Sequence, residues 1–302
     1  MRCEDIVTEA EFIAALRRLP LHPGALGLGD DAARLGGFVV TTDTLVEGVH
    51  FLPDDPAGDV AWKAVAVNLS DLAAKGAVPE GILLNYPLSD DGWDRAFVAG
   101  LEACLAVLDC PLLGGDTVSL PAGASRVVTV TAFGRDATAP ARSGAQAGDH
   151  LWVTGCIGDA GAGLALAQAG EGPAALLAAY RRPRPRLAEG RALAPVAHAM
   201  MDVSDGLLID AWRMAAASGL AVTIALDRVP LSAAYRAYAG DDPLRAATAG
   251  DDYQLLCALP PEERPTGMAT CVGSFAEGRG LSLTRHGAPV AVPERLGFEH
   301  RA

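Results

Sequence analysis

The stretch Asp59–Lys75, DVAWKAVAVNLSDLAAK, decides the fold. Drawn as a helix it is apolar on nearly all sides, and such a helix is covered by other elements all round. Asp71 interrupts the run amid Val67, Leu72 and Ala74. A carboxylate in that setting is costly unless it is paired or bound to a cation. The segment therefore predicts a large enclosing structure with a charged site inside it.

Working outward, Thr8 and Glu11 read as a capping box for an amphipathic helix over Glu9–Leu19 that Pro20 ends. Phe38–Thr42 reads as a β-branched strand with Asp43 at its end, Gly81–Leu88 as a strand, Trp93–Leu108 as a helix, and Pro111–Leu113 as a strand running into Gly114-Gly115-Asp116. Arg126–Gly134 is a further strand. The loose segment Asp136–Asp149 then suggests a boundary, dividing the chain into domains 1–138 and 139–302. Beyond it come strand Leu151–Thr154, a glycine-rich turn Gly155–Gly163 and an Arg/Pro segment, Arg181–Arg186, that reads as an exposed connector. Strand Met200–Val203 follows, with Ser204 as helix N-cap, helix Leu207–Ser218 closed by Gly219, and strands Ala221–Leu226, Tyr253–Leu259 and Leu281–Thr284. Strands and helices mix in both halves, a mixed α/β class.

The 302 residues are 50% hydrophobic, enough for a large core, and length favours about two domains. Lys and Arg total 24 against 37 acids, a formal charge of −13, with Lys63 and Lys75 as the only lysines. No basic patch marks a nucleic-acid partner. The six cysteines form no CxxC pair and read as reduced core thiols. No apolar run approaches the ~20 residues of a membrane span, and the acidic Glu4 and Asp5 do not suit a signal peptide. The expectation is a cytoplasmic protein.

Acids gather beside glycines and hydroxyls at Gly29-Asp30-Asp31, Thr41-Thr42-Asp43, Ser70-Asp71, Gly114-Gly115-Asp116, Asp202-Val203-Ser204-Asp205 and Gly250-Asp251-Asp252. Any one of these is an ordinary turn. Together, with Asp43, Asp116 and Asp202 each read as following a strand, they fit carboxylates converging at one end of a sheet, where α/β proteins bind ligands. Hard divalent cations such as Mg²⁺ prefer oxygen donors and accompany phosphate. Walker A and protein-kinase loops are missing, and Gly155–Gly163 lacks GxGxxG spacing. His50 alone reads as structural, Arg142 as either a solvated charge or a phosphate clamp, and Phe298 as a tail residue packed on the core. Residue chemistry stops at a metal-dependent phosphate enzyme.

The strings GLGDDAARL (Gly27–Leu35), TTDTLVEGVHF (Thr41–Phe51), AVNLSDLAAKGAVP (Ala66–Pro79), LGGDT (Leu113–Thr117), MDVSDGL (Met201–Leu207) and AGDDYQLL (Ala249–Leu256) resemble, in this order and over nearly the whole chain, the thiamine-monophosphate kinases. These belong to the superfamily of aminoimidazole ribonucleotide synthetase, with selenophosphate synthetase and a hydrogenase-maturation protein. The chain has neither the N-terminal reactive cysteine nor the C-terminal cysteine that those last two use. The resemblance implies two α/β domains, with the N-terminal sheet pairing with its copy in a homodimer. It implies that Asp31, Thr41, Thr42, Asp43, Asp71, Asp116, Asp202 and Asp205 hold several Mg²⁺ ions around ATP. It places Gly115, Asp116, Arg142 and Ser204 at the nucleotide, and His50, Asp251 and Phe298 at thiamine monophosphate. Asp251 stands where the family usually has a glutamate.

The implied acceptor is itself a phosphate monoester with a second pKa of ~6, so it is largely dianionic at neutral pH and needs no general base. Direct in-line transfer of the γ-phosphoryl group from ATP, with no catalytic nucleophile in the protein, is the expected reaction. The alternatives are another ATP-using member of the superfamily or a non-catalytic Mg-nucleotide-binding protein.

Overall fold

In this computed structural model, residues 9–121, 123–135 and 138–299 are described; Thr8, the expected cap of the first helix, lies outside them. That first helix, α1, spans Glu9–Leu16, three residues shorter than expected. The pivot of the molecule is helix α2 (Ala57–Ala74), whose Ala61, Val65, Ala66, Leu69, Leu72, Ala73 and Ala74 have no exposed surface. One side lies on strands β2 (Phe38–Val46) and β5 (Val127–Arg135) and on helix α3 (Asp91–Leu108). The other side meets helix α6 (Leu187–Leu193) and strands β7 (Ala199–Val203) and β9 (Gln254–Leu259). Its all-round apolar character thus follows from being shared by the two halves of the chain, and burying Leu69 or Leu72 contributes roughly 1.5–3 kcal/mol each. Glycine makes the crossings possible: a Cβ on Gly100 of α3 would stand 2.2 Å from the Gly58 Cα, and one on Gly190 of α6 would stand 2.1 Å from the Ala73 carbonyl oxygen.

The N-terminal half carries a five-stranded sheet, ordered β1 (Ala33–Leu35), β2, β5, β3 (Val78–Leu88) and β4 (Leu112–Ser119). All its pairings are antiparallel except β3–β4. Inward Val39, Leu45, Ile82, Val128, Val130 and Ala132 pack on α2 and α3 to form one core. The outermost strand, β4, is exposed at every residue, including Leu112, Leu113 and Val118.

The C-terminal half carries a seven-stranded sheet, ordered β12 (Ala288–Val290), β11 (Gly280–Arg285), β8 (Leu220–Ala225), β10 (Ala269–Glu277), β6 (His150–Thr154), β9 and β7. Strand β10 lies in its middle and has no counterpart in the sequence reading. A register shift between Cys271 and Gly273 breaks the alternation that would have marked it. Helix α7 (Leu207–Ser218) has the expected bounds and closes on Gly219 at φ 71.

Three expectations change. Asp43, Asp116 and Asp202 lie within β2, β4 and β7 rather than after them; β2 continues because Thr44–Val46 pair with Val127–Thr129. Ser204 is not the cap of α7: the cap position is Gly206, and the Asp210 carboxylate accepts the Asp205 and Gly206 N–H groups from inside the helix. The Arg/Pro segment is a strap rather than a free connector, since α2 and the loop before it offer it acidic and aromatic partners. Arg181 Nε donates to Asp55 at 2.8 Å, Arg182 pairs with Asp59, Trp62 Nε1 donates to the Pro183 carbonyl at 2.8 Å, and Arg186 Nε donates to Gln254 at 2.8 Å. Tyr180, on helix α5 (Ala174–Arg181), donates to the buried Asp55 at 2.9 Å.

Among the described residues no helix is long and apolar enough to cross a membrane. Cys104, Cys110, Cys156, Cys257 and Cys271 are free thiols; Cys3 lies outside the described residues.

Candidate active site

A cleft of about 380 Å³ opens where α2 meets the C-terminal half. Its walls bring together Asp43, Asp71, Asp202, Ser204, Asp205, His50, Asp251 and Phe298, residues spread over most of the chain length. Each is held by local geometry. Asn68, fully buried on α2, donates to the Ala64 carbonyl and accepts the Asp43 N–H at 3.1 Å, which sets β2 against α2. The Thr41 hydroxyl donates to Asp71. Ser70 Oγ donates across the seam to Asp202 Oδ2 at 2.6 Å. The Phe298 N–H donates to the Asp205 carbonyl at 2.9 Å, anchoring the C-terminal segment on the site.

The loop before β9 is fixed to the end of β7 by N–H donation from Asp251 to the Ser204 carbonyl and from Tyr253 to the Val203 carbonyl, at 2.7 and 2.8 Å. Asp251 there adopts a left-handed φ of 68. Lys63, buried on α2, donates to Asp251 Oδ2 at 2.8 Å and to the His50 carbonyl at 2.9 Å, while Tyr253 donates to the other Asp251 oxygen at 3.1 Å. His50 Nδ1 accepts the Val46 N–H at 3.0 Å, so a neutral ring carries its proton on Nε2. Asp252 turns away, accepting the Gly158 and Ala160 N–H groups at the start of helix α4 (Asp159–Ala169). The glycine-rich turn is therefore satisfied by a carboxylate, although Ala160 and Gly161 still line the cleft.

The electrostatics follow from burial without counter-charge. Burial, then the charges of Asp31 and Asp205, pushes the Asp43 carboxyl up to about 6. Asp71 is raised well above the ordinary carboxylate range by burial and by Asp43, Asp202 and Asp31, against a smaller opposing effect from the Thr41 hydroxyl. Asp202 is raised likewise by burial and Asp31, with Ser70 opposing. Among the described residues Asp71 and Asp202 have hydroxyl partners but no cationic one. Adjacent carboxylates with oxygen-only neighbours suit a hard cation such as Mg²⁺. As placed, no three or more His, Cys, Asp or Glu side chains among the described residues stand close enough together to hold one metal ion.

Other expected site residues lie elsewhere. Asp31 sits behind the cleft, where Arg142 donates to its Oδ1 and the Lys75 ammonium stands 2.8 Å from its Oδ2, an ion pair without directional hydrogen-bond geometry. Burial raises the Asp31 carboxyl, but the charges of Lys75 and Arg142 outweigh it and hold the group below its ordinary value. Thr42 faces the opposite side of the sheet, donating to the Val130 carbonyl and meeting the Thr131 hydroxyl. Gly115 and Asp116 lie on the exposed edge strand β4, outside the cleft walls. Gly115 answers a packing demand: a Cβ there would meet the Leu84 carbonyl oxygen at 1.8 Å.

Sequence reasoning gave no site role to Lys63, Lys75, Ser70 or Tyr253. The signal for the first two was available, because both of the chain's lysines fall in or beside the most apolar helix.

Residues 29–135 match the family description "AIR synthase related protein, N-terminal domain", and residues 146–276 match its C-terminal counterpart. A thiamine-monophosphate kinase of Caulobacter vibrioides is 40% identical over 97% of this chain and 91% of that protein. One from Salmonella typhimurium is 38% identical over 100% of this chain and 99% of its own. A solved structure described as "AaThiL complexed with AMPPCP and TMP" superposes with a TM-score of 0.86 at 30% identity, covering 99% of both chains.

Proposed function

The chain belongs to the thiamine-monophosphate kinase family of AIR synthase related proteins, and on that premise we propose that it transfers the γ-phosphoryl group of ATP to thiamine monophosphate, forming thiamine diphosphate. The observation that carries the reading is the convergence of Asp43, Asp71, Asp202 and Asp205 with His50, Asp251 and Phe298 in one cleft. The relative solved with AMPPCP and TMP, the same fold over nearly its whole length, supports the pair of substrates.

Asp43, Asp71, Asp202 and Asp205 would hold Mg²⁺, with Thr41 orienting Asp71 and Ser70 orienting Asp202. When bound, Mg²⁺ would supply the positive charge that lets two phosphate groups approach. Ser204 and Arg142 are assigned to the nucleotide; Gly115, Asp116 and Thr42 keep their assigned roles on resemblance alone. His50, Asp251 and Phe298 are assigned to the vitamin, with Lys63 and Tyr253 fixing the Asp251 carboxylate. Asp251, shorter than the family's usual glutamate, still lines the cleft, on a backbone of left-handed conformation.

The acceptor oxygen comes already ionised, so the protein's work is to hold both phosphates in line and keep water away from the γ-phosphoryl group. No phospho-enzyme forms. We place the domain boundary between residues 138 and 139, assign the exposed β4 side of the N-terminal sheet to a homodimer, and assign the protein to the cytoplasm.

The test is ADP release with thiamine monophosphate as sole acceptor, coupled to detection of thiamine diphosphate. Stoichiometric product supports the assignment. Absence of ADP with this acceptor, or a phospho-aspartate trapped by rapid quench, overturns the substrate or the direct-transfer half respectively.

A further inference from the structure

Lys75 follows the last turn of α2, and its side chain is 2% exposed. Its three ammonium protons have three acceptors: the Asp30 carboxylate, the Pro140 carbonyl at 3.3 Å and the Met200 carbonyl at 3.1 Å. The Asp31 carboxylate oxygen at 2.8 Å adds a fourth oxygen. Carboxylates from the N-terminal half, a carbonyl from the inter-sheet segment and one from β7 thus surround a single positive charge. Such an oxygen cage around a buried ammonium is the environment of a bound monovalent cation, here tethered by its own stem.

Asp31, itself 3% exposed, has both oxygens turned to positive charge, Oδ2 to Lys75 and Oδ1 to Arg142. A divalent ion at Asp31 would have to share its carboxylate with an ammonium 2.8 Å away. Two cations held on one carboxylate away from water repel each other, which opposes what one more carboxylate oxygen returns. The ammonium cannot withdraw without giving up its hydrogen bonds to the two carbonyls and its charge beside Asp30.

We infer that Lys75 is the protein's own fixed cation for Asp30 and Asp31, so that Asp31 is a structural anion and takes no divalent metal ion. The inference narrows the metal set implied by family resemblance, and it leaves Asp43, Asp71 and Asp202 as the oxygens awaiting a cation, with Asp205 beside them already paired to Arg213. Arg142 and Lys75 share one carboxylate, so Arg142 can turn to a phosphate while Asp31 stays neutralised.

The test is a Mg²⁺ titration of the full chain with saturating β,γ-methylene ATP analogue, read as the rise in Tm. Asp31→Asn should lower the Mg-free Tm and leave the Mg²⁺ midpoint within about twofold, whereas Asp71→Asn should shift it by about tenfold or more. A tenfold shift in Asp31→Asn overturns the inference. If neither variant shifts the midpoint, Asp31 remains no ligand and it is the proposed metal site at Asp71 that fails. Lys75→Met, which empties the cage, should acquire a Mg²⁺-dependent rise in Tm larger than the unaltered protein's, lost again in Lys75→Met/Asp31→Asn. An unchanged rise in Lys75→Met also overturns the inference, and should that variant fail to fold without Mg²⁺, the Asp31→Asn arm decides alone.

Discussion

Two groups of buried aspartates share one seam and behave oppositely. Asp30 and Asp31 lie against Lys75 and Arg142, and the Asp31 carboxyl is held below its ordinary value. Asp71 and Asp202 sit beside hydroxyls, Asp43 lies close to them, and all three are held above it. Residue type and burial are alike, so neither separates a structural acid from a functional one. The presence of a resident cation does. One cluster is complete as folded, and the other carries an electrostatic deficit that a ligand can remove.

The comparison can be broken most forcefully at Lys75. Lys75→Met should cost about 3–5 kcal/mol of Mg-free stability, the usual consequence of leaving a buried charge without its partner, as measured by urea unfolding. A loss well below 1 kcal/mol would mean the first cluster does not depend on its cation. On the other side, Asp71→Asn should cut turnover by about a hundredfold or more without lowering the Mg-free Tm, because it removes a repelled charge. Near-normal turnover, or a fall in Tm like that of Lys75→Met, would erase the distinction.

Acid sharpens it further. The folded Asp43 carboxyl titrates at about 6 against an ordinary 3.8, so between those values the folded chain binds more protons than the unfolded one. Raising pH through this window therefore costs the Mg-free protein stability, and lowering it restores that contribution. Mg²⁺ needs the ionised form, so its stabilising effect should shrink from pH 7.5 to pH 5. Tm measured with and without Mg²⁺ at the two pH values checks both signs. The smallest expected effect belongs to Ser70→Ala, which deletes the hydroxyl on Asp202 and should cost about 1 kcal/mol in the same urea assay.

Much of this was legible before any coordinates. Apolarity all round Asp59–Lys75 announced a doubly covered helix, and Asp71 within it announced a buried carboxylate needing a cation. The Val- and Thr-rich run Arg126–Gly134 and the glycine after Ser218 marked β5, observed over Val127–Arg135, and the end of α7. What stayed hidden depends on contacts far along the chain. The partners of Lys75 are 45, 65 and 125 residues away, and only docking of the two halves joins them. Ser204 looks like a helix cap by type, yet Asp210 fills that role from within α7. Thr42 looks like its neighbour Thr41, but strand alternation puts it on the other face.

Helix α2 has one more consequence, for how the molecule comes apart. Its Val60, Ala61, Val65 and Leu69 belong to the core under the N-terminal sheet, while Ala73 and Ala74 belong to a cluster with Leu193, Met200, Leu255 and Cys257. A single rigid element thus lends side chains to the N-terminal core and to a second cluster lying on the C-terminal strands β7 and β9. Neither of these two clusters can melt without exposing part of the other, so calorimetry should record one cooperative transition rather than two. A truncated chain ending near residue 138 would leave this helix half uncovered and should not hold a stable fold by itself.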